Sequence, residues 1–268
     1  MHIKNKRRMN QIALAVGMAL AAPVALAATV TPTQVPGQGF VAYSGGTAVA
    51  AATGAGTETI TITSATSNTP VILQWGGTAP SGATLLNSTG TAGFNIGASA
   101  STTFAMASSG AAVLNIDVTN NPSQILGALS VTGSGAGATN LFVANANGIV
   151  VGSTAVITAP GGLGLVNADL SSTQAQAVFT SDNVLPISFA GASGGVQILS
   201  GADMSGIGGG TLLVAGAGVV NVAGAQIGAS SASHYAFSSS TALDINGGIG
   251  GYMDTATGSR FTPQDSGA

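Results

Sequence analysis

Between Asn115 and Leu170 the strongly apolar runs are only two or three residues long: Ile125-Leu126, Leu141-Phe142-Val143, Ile149-Val150-Val151 and Val156-Ile157. Asn or Gly stands at the corners between them, at Asn121, Asn145, Asn147, Gly148, Gly152 and Gly161-Gly162. Both residue types tolerate the left-handed backbone conformation that sharp corners need. Short strands with frequent turns imply a chain wound in coils. Such a coil buries its apolar residues only against its neighbours, so several must stack.

The surrounding sequence extends the pattern. Thr59-Ile60-Thr61-Ile62-Thr63 alternates as a half-buried strand does. Further strands are expected at Val71–Trp75, Thr84–Leu86, Gly93–Ile96, Thr102–Met106 and Val113–Val118. Trp75, the only tryptophan, reads as a core or cap residue. Residues 28–57 read as an irregular cap or short strand, which the first coil needs to cover its open sheet edge. Val131 onward, a Gly/Ser/Ala-rich passage reads as a bridge between two strands. Later, Gly194-Gly195-Val196 to Ala202 is answered by Gly209-Gly210-Thr211 to Ala217 at an offset of fifteen residues, and more loosely by Val219 to Gly228. Each copy reads as one face of a coil.

Composition narrows the class. Charged residues make up 5% of the 268-residue chain, but 45% is hydrophobic, which sets it apart from disordered sequences. The 41 glycines have no period of three, so a collagen helix is excluded. There is no cysteine, so backbone ladders and stacking must hold the fold without disulfides. Lys4, Lys6, Arg7 and Arg8 precede the apolar run Ile12–Ala22 and the small-x-small site Ala25-Leu26-Ala27. This is the layout of a cleaved signal peptide over residues 1–27, with Ala28 as the mature start. The apolar run is well short of the ~20 residues a membrane span needs, and no later segment reaches that length.

After Arg8 the only basic residue is Arg260, against eight acids. Phosphate backbones need several Lys or Arg contacts, so nucleic acid is excluded as a partner. The same scarcity argues against an enzyme. The mature chain has one Arg, no Lys and one His, His234, which reads as a turn or surface residue. Its aspartates are widely scattered, without the paired carboxylates of a glycosidase. Gly247-Gly248-Ile249-Gly250-Gly251 resembles a calcium-binding repeat only in its glycines, because Tyr252 stands where aspartate is needed. No catalytic residue, metal site or cofactor is expected.

The Asn115–Leu170 stretch resembles the amino-terminal secretion domain of the filamentous haemagglutinin family, the exoproteins of two-partner secretion. Asn121-Pro122-Ser123-Gln124-Ile125-Leu126-Gly127 fits its first element. Leu141-Phe142-Val143-Ala144-Asn145-Ala146-Asn147-Gly148-Ile149-Val150-Val151-Gly152 fits the second, with Ala146 where the family usually has proline, and Gly161-Gly162-Leu163 fits the third. The resemblance implies a right-handed parallel β-helix, here over residues 58–245, with a polar tail over 246–268. It implies an exported adhesin-type protein, secreted or on the cell surface, that an outer-membrane barrel transporter recognises in the periplasm. A host-cell or carbohydrate receptor, or self-association, would complete its partners. Asn121, Pro122, Ser123, Asn145, Asn147 and Gly148 would serve export; as corner residues they would bond backbone groups between coils. The alternative function is a self-assembling extracellular fibre or matrix subunit without a dedicated transporter, which low charge and open coil edges favour.

Overall fold

A computed structural model of the chain describes residues 29–41, 46–66, 70–79, 81–86, 90–107, 112–170, 191–207, 211–227, 234–239 and 243–246. These residues form an all-β structure whose only helical element is a 3-10 turn at Ala136–Ala138. No helix among them is long and apolar enough to cross a membrane. The expected signal peptide and all of the expected tail beyond Asn246 lie outside the described residues, as do the Gly247–Gly251 cluster and Arg260.

Most strands fall into three sheets of eight, seven and five strands, which the chain visits in rotation. Ala112–Asp117 lies in the eight-stranded sheet, Ser123–Ile125 in the five-stranded sheet and Ala128–Gly133 in the seven-stranded sheet. The next circuit is Asn140–Asn145, Ile149–Val151 and Val156–Thr158, and Gly162–Asn167 opens another. After residues 171–190 the rotation resumes through Val196–Ile198, Asp203–Gly206 and Thr211–Gly216, and runs on to Leu243–Asn246. Every strand in these circuits pairs in parallel with its counterpart one circuit away. Antiparallel hairpins need only a tight turn, whereas each parallel pair here requires the chain to travel round and return.

The register corrects the expected repeat. Val196 pairs with Val220, 24 residues on, and Thr211 with His234, 23 residues on. The copies beginning at Gly194 and Gly209 therefore belong to different sheets, while the first and third copies stack directly. Glycine before a short apolar run marks corners on more than one face of a circuit, which produced the shorter apparent period. His234, expected in a turn or at the surface, opens the strand His234–Ser239. The bridge after Ser130 is likewise a strand as far as Gly133, paired with Ser101–Met106.

Between the sheets runs one continuous apolar core, including Ile60, Phe104, Leu129, Val143, Leu165, Ile198 and Val214. Stacked positions keep like residues in columns, such as Ile125, Val151, Ile198 and Val222. The seven-stranded sheet is buried on one face, as the alternation in Ser101–Met106 shows. The eight-stranded sheet is buried on both: all six residues of Ala112–Asp117 are covered. Its other face carries a second buried cluster containing Ile72, Leu114, Ile116, Ala144 and Val166.

The amino-terminal region departs from the parallel pattern. Gly46–Gly54 pairs antiparallel with Thr57–Ser64, and Gly39–Val41 pairs antiparallel with both Val71–Trp75 and Thr84–Leu85. The segment expected as an irregular cap or short strand thus contains a nine-residue strand, and Thr57 already belongs to the next one. Gly-Thr-Ala-Val-Ala-Ala-Ala-Thr-Gly hides this strand from a reading by alternation, because only Ala48 faces a fully covered environment. Trp75 is fully buried, with its ring edge-on to Phe94 at a centroid distance of 5.6 Å.

Candidate functional site

Where the chain leaves the eight-stranded sheet, it must turn a corner in every circuit. Backbone groups at a corner lie outside the strand ladders and need other partners. Polar residues close successive strands at this corner: Asp117, then Asn145 one circuit on, in register with each other. Asn167 closes the following strand, Gly162–Asn167. All three are buried.

Asp117 gathers the first layer. Its Oδ2 accepts hydrogen bonds from the Phe94 N–H at 2.8 Å and the Ser123 hydroxyl at 2.7 Å. Its Oδ1 accepts from the Thr119 N–H at 2.9 Å and the Thr119 hydroxyl at 2.6 Å. A carboxylate with four such donors ties the corner to residues on both sides of it. Asn145 forms the second layer. Its amide donates to the Asn121 carbonyl at 2.9 Å and to Ser123 Oγ at 3.0 Å. Its Oδ1 accepts from the Asn147 N–H at 2.7 Å, fixing the turn that follows. Ser123 thus donates to Asp117 and accepts from Asn145, joining two circuits.

Asn147 donates its amide to the Thr119 carbonyl at 2.8 Å. Asn167 forms the third layer, donating to the carbonyls of Asn145 and Ala146, both at 2.9 Å. Its own Oδ1 accepts from the Ala217 N–H at 3.1 Å. Each asparagine side chain therefore serves corner backbone of the preceding circuit. A primary amide suits the task because it has two donors and an acceptor on one short stem.

Gly148 completes the turn. Its φ is +109°, outside the range comfortable for other residues. Its N–H donates to the Asn145 carbonyl at 3.2 Å, and its carbonyl accepts from the Ser123 N–H at 3.0 Å. A Cβ here would sit 3.0 Å from the Gly195 carbonyl oxygen in the next circuit.

Five of the six candidate residues thus meet through hydrogen bonds at one corner, but in different ways. Ser123, Asn145 and Asn147 engage through their side chains, whereas Asn121 is exposed and engages through its carbonyl. Pro122 lies partly buried between Asn121 and the strand Ser123–Ile125. Asp117 and Asn167, which complete the seam, escape a reading of the Asn-Pro and Asn-Gly motifs. Their signal is weaker: each is a polar residue ending an apolar strand, in Val-Leu-Asn-Ile-Asp and Gly-Leu-Val-Asn.

A pocket of about 240 Å³ opens beside this seam, lined by Asp117, Asn147, Asp169, Leu170 and Gly191 among others. The described residues include no Lys or Arg and a single His, His234. They contain no group of three His, Cys, Asp or Glu arranged to hold a metal. Asp203, like Asp117, accepts hydrogen bonds from the residue two ahead: the Ser205 hydroxyl and N–H hold its carboxyl below the usual range. These carboxylates are occupied as turn acceptors.

No protein-family model matches the chain, and no curated protein matches it.

Proposed function

We propose that this chain is an exported bacterial protein of adhesin type, secreted or displayed at the cell surface. In this reading it is a right-handed parallel β-helix whose corner seam directs export through the outer-membrane barrel of a two-partner system. The single observation that carries the reading is the convergence of Asn121, Ser123, Asn145, Asn147 and Gly148 on one corner. These residues belong to two sequence motifs more than twenty residues apart, and they meet across adjacent circuits. Rotation of parallel strands through three sheets supports the β-helix, and right-handed crossovers prevail in parallel sheets. Residues 1–27 act as the signal peptide. Recognition is expected in the periplasm, where the partner meets the chain before it passes outward unfolded and folds outside. The low content of charged residues and the lack of cysteine suit such passage. The role is non-enzymatic and needs no cofactor or metal; a host-cell or carbohydrate receptor is the expected partner outside the cell. The test is to express the full chain with and without its partner barrel and measure protein in the medium. Appearance that depends on the barrel supports the proposal, and equal appearance without it refutes it.

One observation favours a second reading, a self-assembling fibre or matrix subunit. Gly46–Gly54 is the edge strand of the seven-stranded sheet, carries no charge, and leaves Val49 62% exposed. Edges of this kind are usually blunted by charge or proline, because they pair with other chains. Sedimentation of the purified mature protein over a range of concentrations separates the readings. Growth into polymers with no partner present favours the fibre, and a monomer throughout favours the exported adhesin.

A further inference from the structure

Asn147 and Gly148 form an Asn-Gly bond, one of two in the chain, the other being Asn246-Gly247. An asparagine followed by glycine is chemically labile because no side chain hinders attack by the next backbone nitrogen on the amide carbon. The Gly148 nitrogen loses its proton and bonds to Asn147 Cγ, the Cγ–Nδ2 bond breaks, and ammonia leaves with that proton. Water then opens the cyclic imide at either carbonyl, which gives aspartate or isoaspartate.

The folded corner opposes each part of this reaction. The Asn147 amide is held away by its hydrogen bond to the Thr119 carbonyl at 2.8 Å. The Gly148 N–H, which must attack, points instead to the Asn145 carbonyl at 3.2 Å. The Asn147 N–H is fixed by Asn145 Oδ1 at 2.7 Å, and the Gly148 carbonyl by the Ser123 N–H at 3.0 Å. The dihedral rotation that brings nitrogen to Cγ would break this set together.

The products do not fit the same corner. Aspartate at 147 would turn a carboxylate oxygen toward the Thr119 carbonyl and place a further negative charge in the pocket that Asp117 and Asp169 already line. Isoaspartate adds a methylene to the backbone where adjacent circuits touch: a Cβ on Gly194 would lie 2.3 Å from the Asn147 carbonyl oxygen. From these contacts we infer that Asn147-Gly148 is a modification site that folding closes, so deamidation there marks chains that have stayed unfolded and bars them from completing the corner. This inference does not depend on the route of export.

The test incubates the purified mature protein at mildly alkaline pH, folded and in urea, and follows Asn147 by peptide mass spectrometry. Asn147 is expected to convert at least about tenfold more slowly in the folded protein, because reaction must wait for local opening. Equal rates in the two samples would overturn the inference. The urea-aged mixture is then diluted to refold, and the compact fraction is separated. Isoaspartate at 147 is expected to be depleted from that fraction relative to the whole. An equal share in both would overturn the claim that the product cannot build the corner.

Discussion

Residues 29–107 and residues 112–227 stabilise their turns in contrasting ways. The first region uses antiparallel pairing and aromatic volume, with Trp75 against Phe94 and Phe94 stacked on Phe104. The second uses parallel circuits, aliphatic columns and the polar seam of Asp117, Asn145 and Asn167. The circuits differ in length, and longer ones leave more irregular backbone to cover. Circuits of both lengths occur in the second region: Leu141 pairs with Leu163, 22 residues on, and Leu163 with Leu212, 49 residues on; in the first, Glu58 pairs with Thr102, 44 residues on. In the first region bulky rings fill the space between strands. In the second, buried amides reach the preceding corner. The two regions are joined by Asn115, whose Oδ1 accepts from the Trp75 indole N–H at 2.9 Å and whose amide donates to the Phe142 carbonyl at 3.1 Å.

If that contrast is correct, the largest loss should come from the aromatic region. Trp75→Ala removes a fully buried ring and leaves Asn115 Oδ1 without its donor. A destabilisation of about 3–5 kcal/mol is expected from the urea midpoint. A cost below that of a single corner asparagine would break the comparison.

Asn145→Ala comes next. It removes the donors to the Asn121 carbonyl and Ser123 and the acceptor for the Asn147 N–H, at an expected cost of about 1–3 kcal/mol in all, since Asn121 is exposed and Ser123 keeps its bond to Asp117. Because the Asn145 side chain fixes the turn whose Asn145 and Ala146 carbonyls accept from Asn167, Asn145→Ala and Asn167→Ala should not add. A double-mutant cycle is expected to show coupling of about 0.5–3 kcal/mol. Strict additivity would mean that the corners act singly and the seam is not a unit.

Gly148→Ala should cost about 1 kcal/mol or more, since alanine disfavours φ of +109° and its methyl approaches Gly195. Urea unfolding of this variant beside Gly54→Ala sharpens the point. Gly54 has open space around its Cβ position and no positive φ, so its replacement should have a far smaller effect.

Much of the second region is legible in the sequence, because β-branched runs such as Ile149-Val150-Val151 and the corner pair Asn147-Gly148 declare strand and turn locally. Ala128–Gly133 is less legible: Ala-Leu-Ser-Val-Thr-Gly has weak propensity and becomes a strand through the neighbours that flank it in the sheet. Gly46–Gly54 escapes notice for a related reason, since its small side chains alternate little in polarity. The true circuit length is hidden because strands of different sheets share one local signature. Within the site, the Asn motifs are visible, whereas the part played by Asp117 depends, beyond its local bond to Thr119, on Ser123 across the corner and on Phe94, which only the winding brings to it.

The smallest expected stability change belongs to Asn121, and it offers the most direct test of the seam as an export signal. Its side chain is exposed and only its carbonyl enters the seam, which alanine supplies equally well. Asn121→Ala is therefore expected to shift stability by no more than about 0.5 kcal/mol. The decisive measurement is the secreted yield of Asn121→Ala, in cells carrying the partner barrel, set against the urea midpoint of the same refolded variant. The account predicts a yield that falls severalfold while the midpoint holds. An unchanged yield, or one that falls only in step with the midpoint, would contradict it.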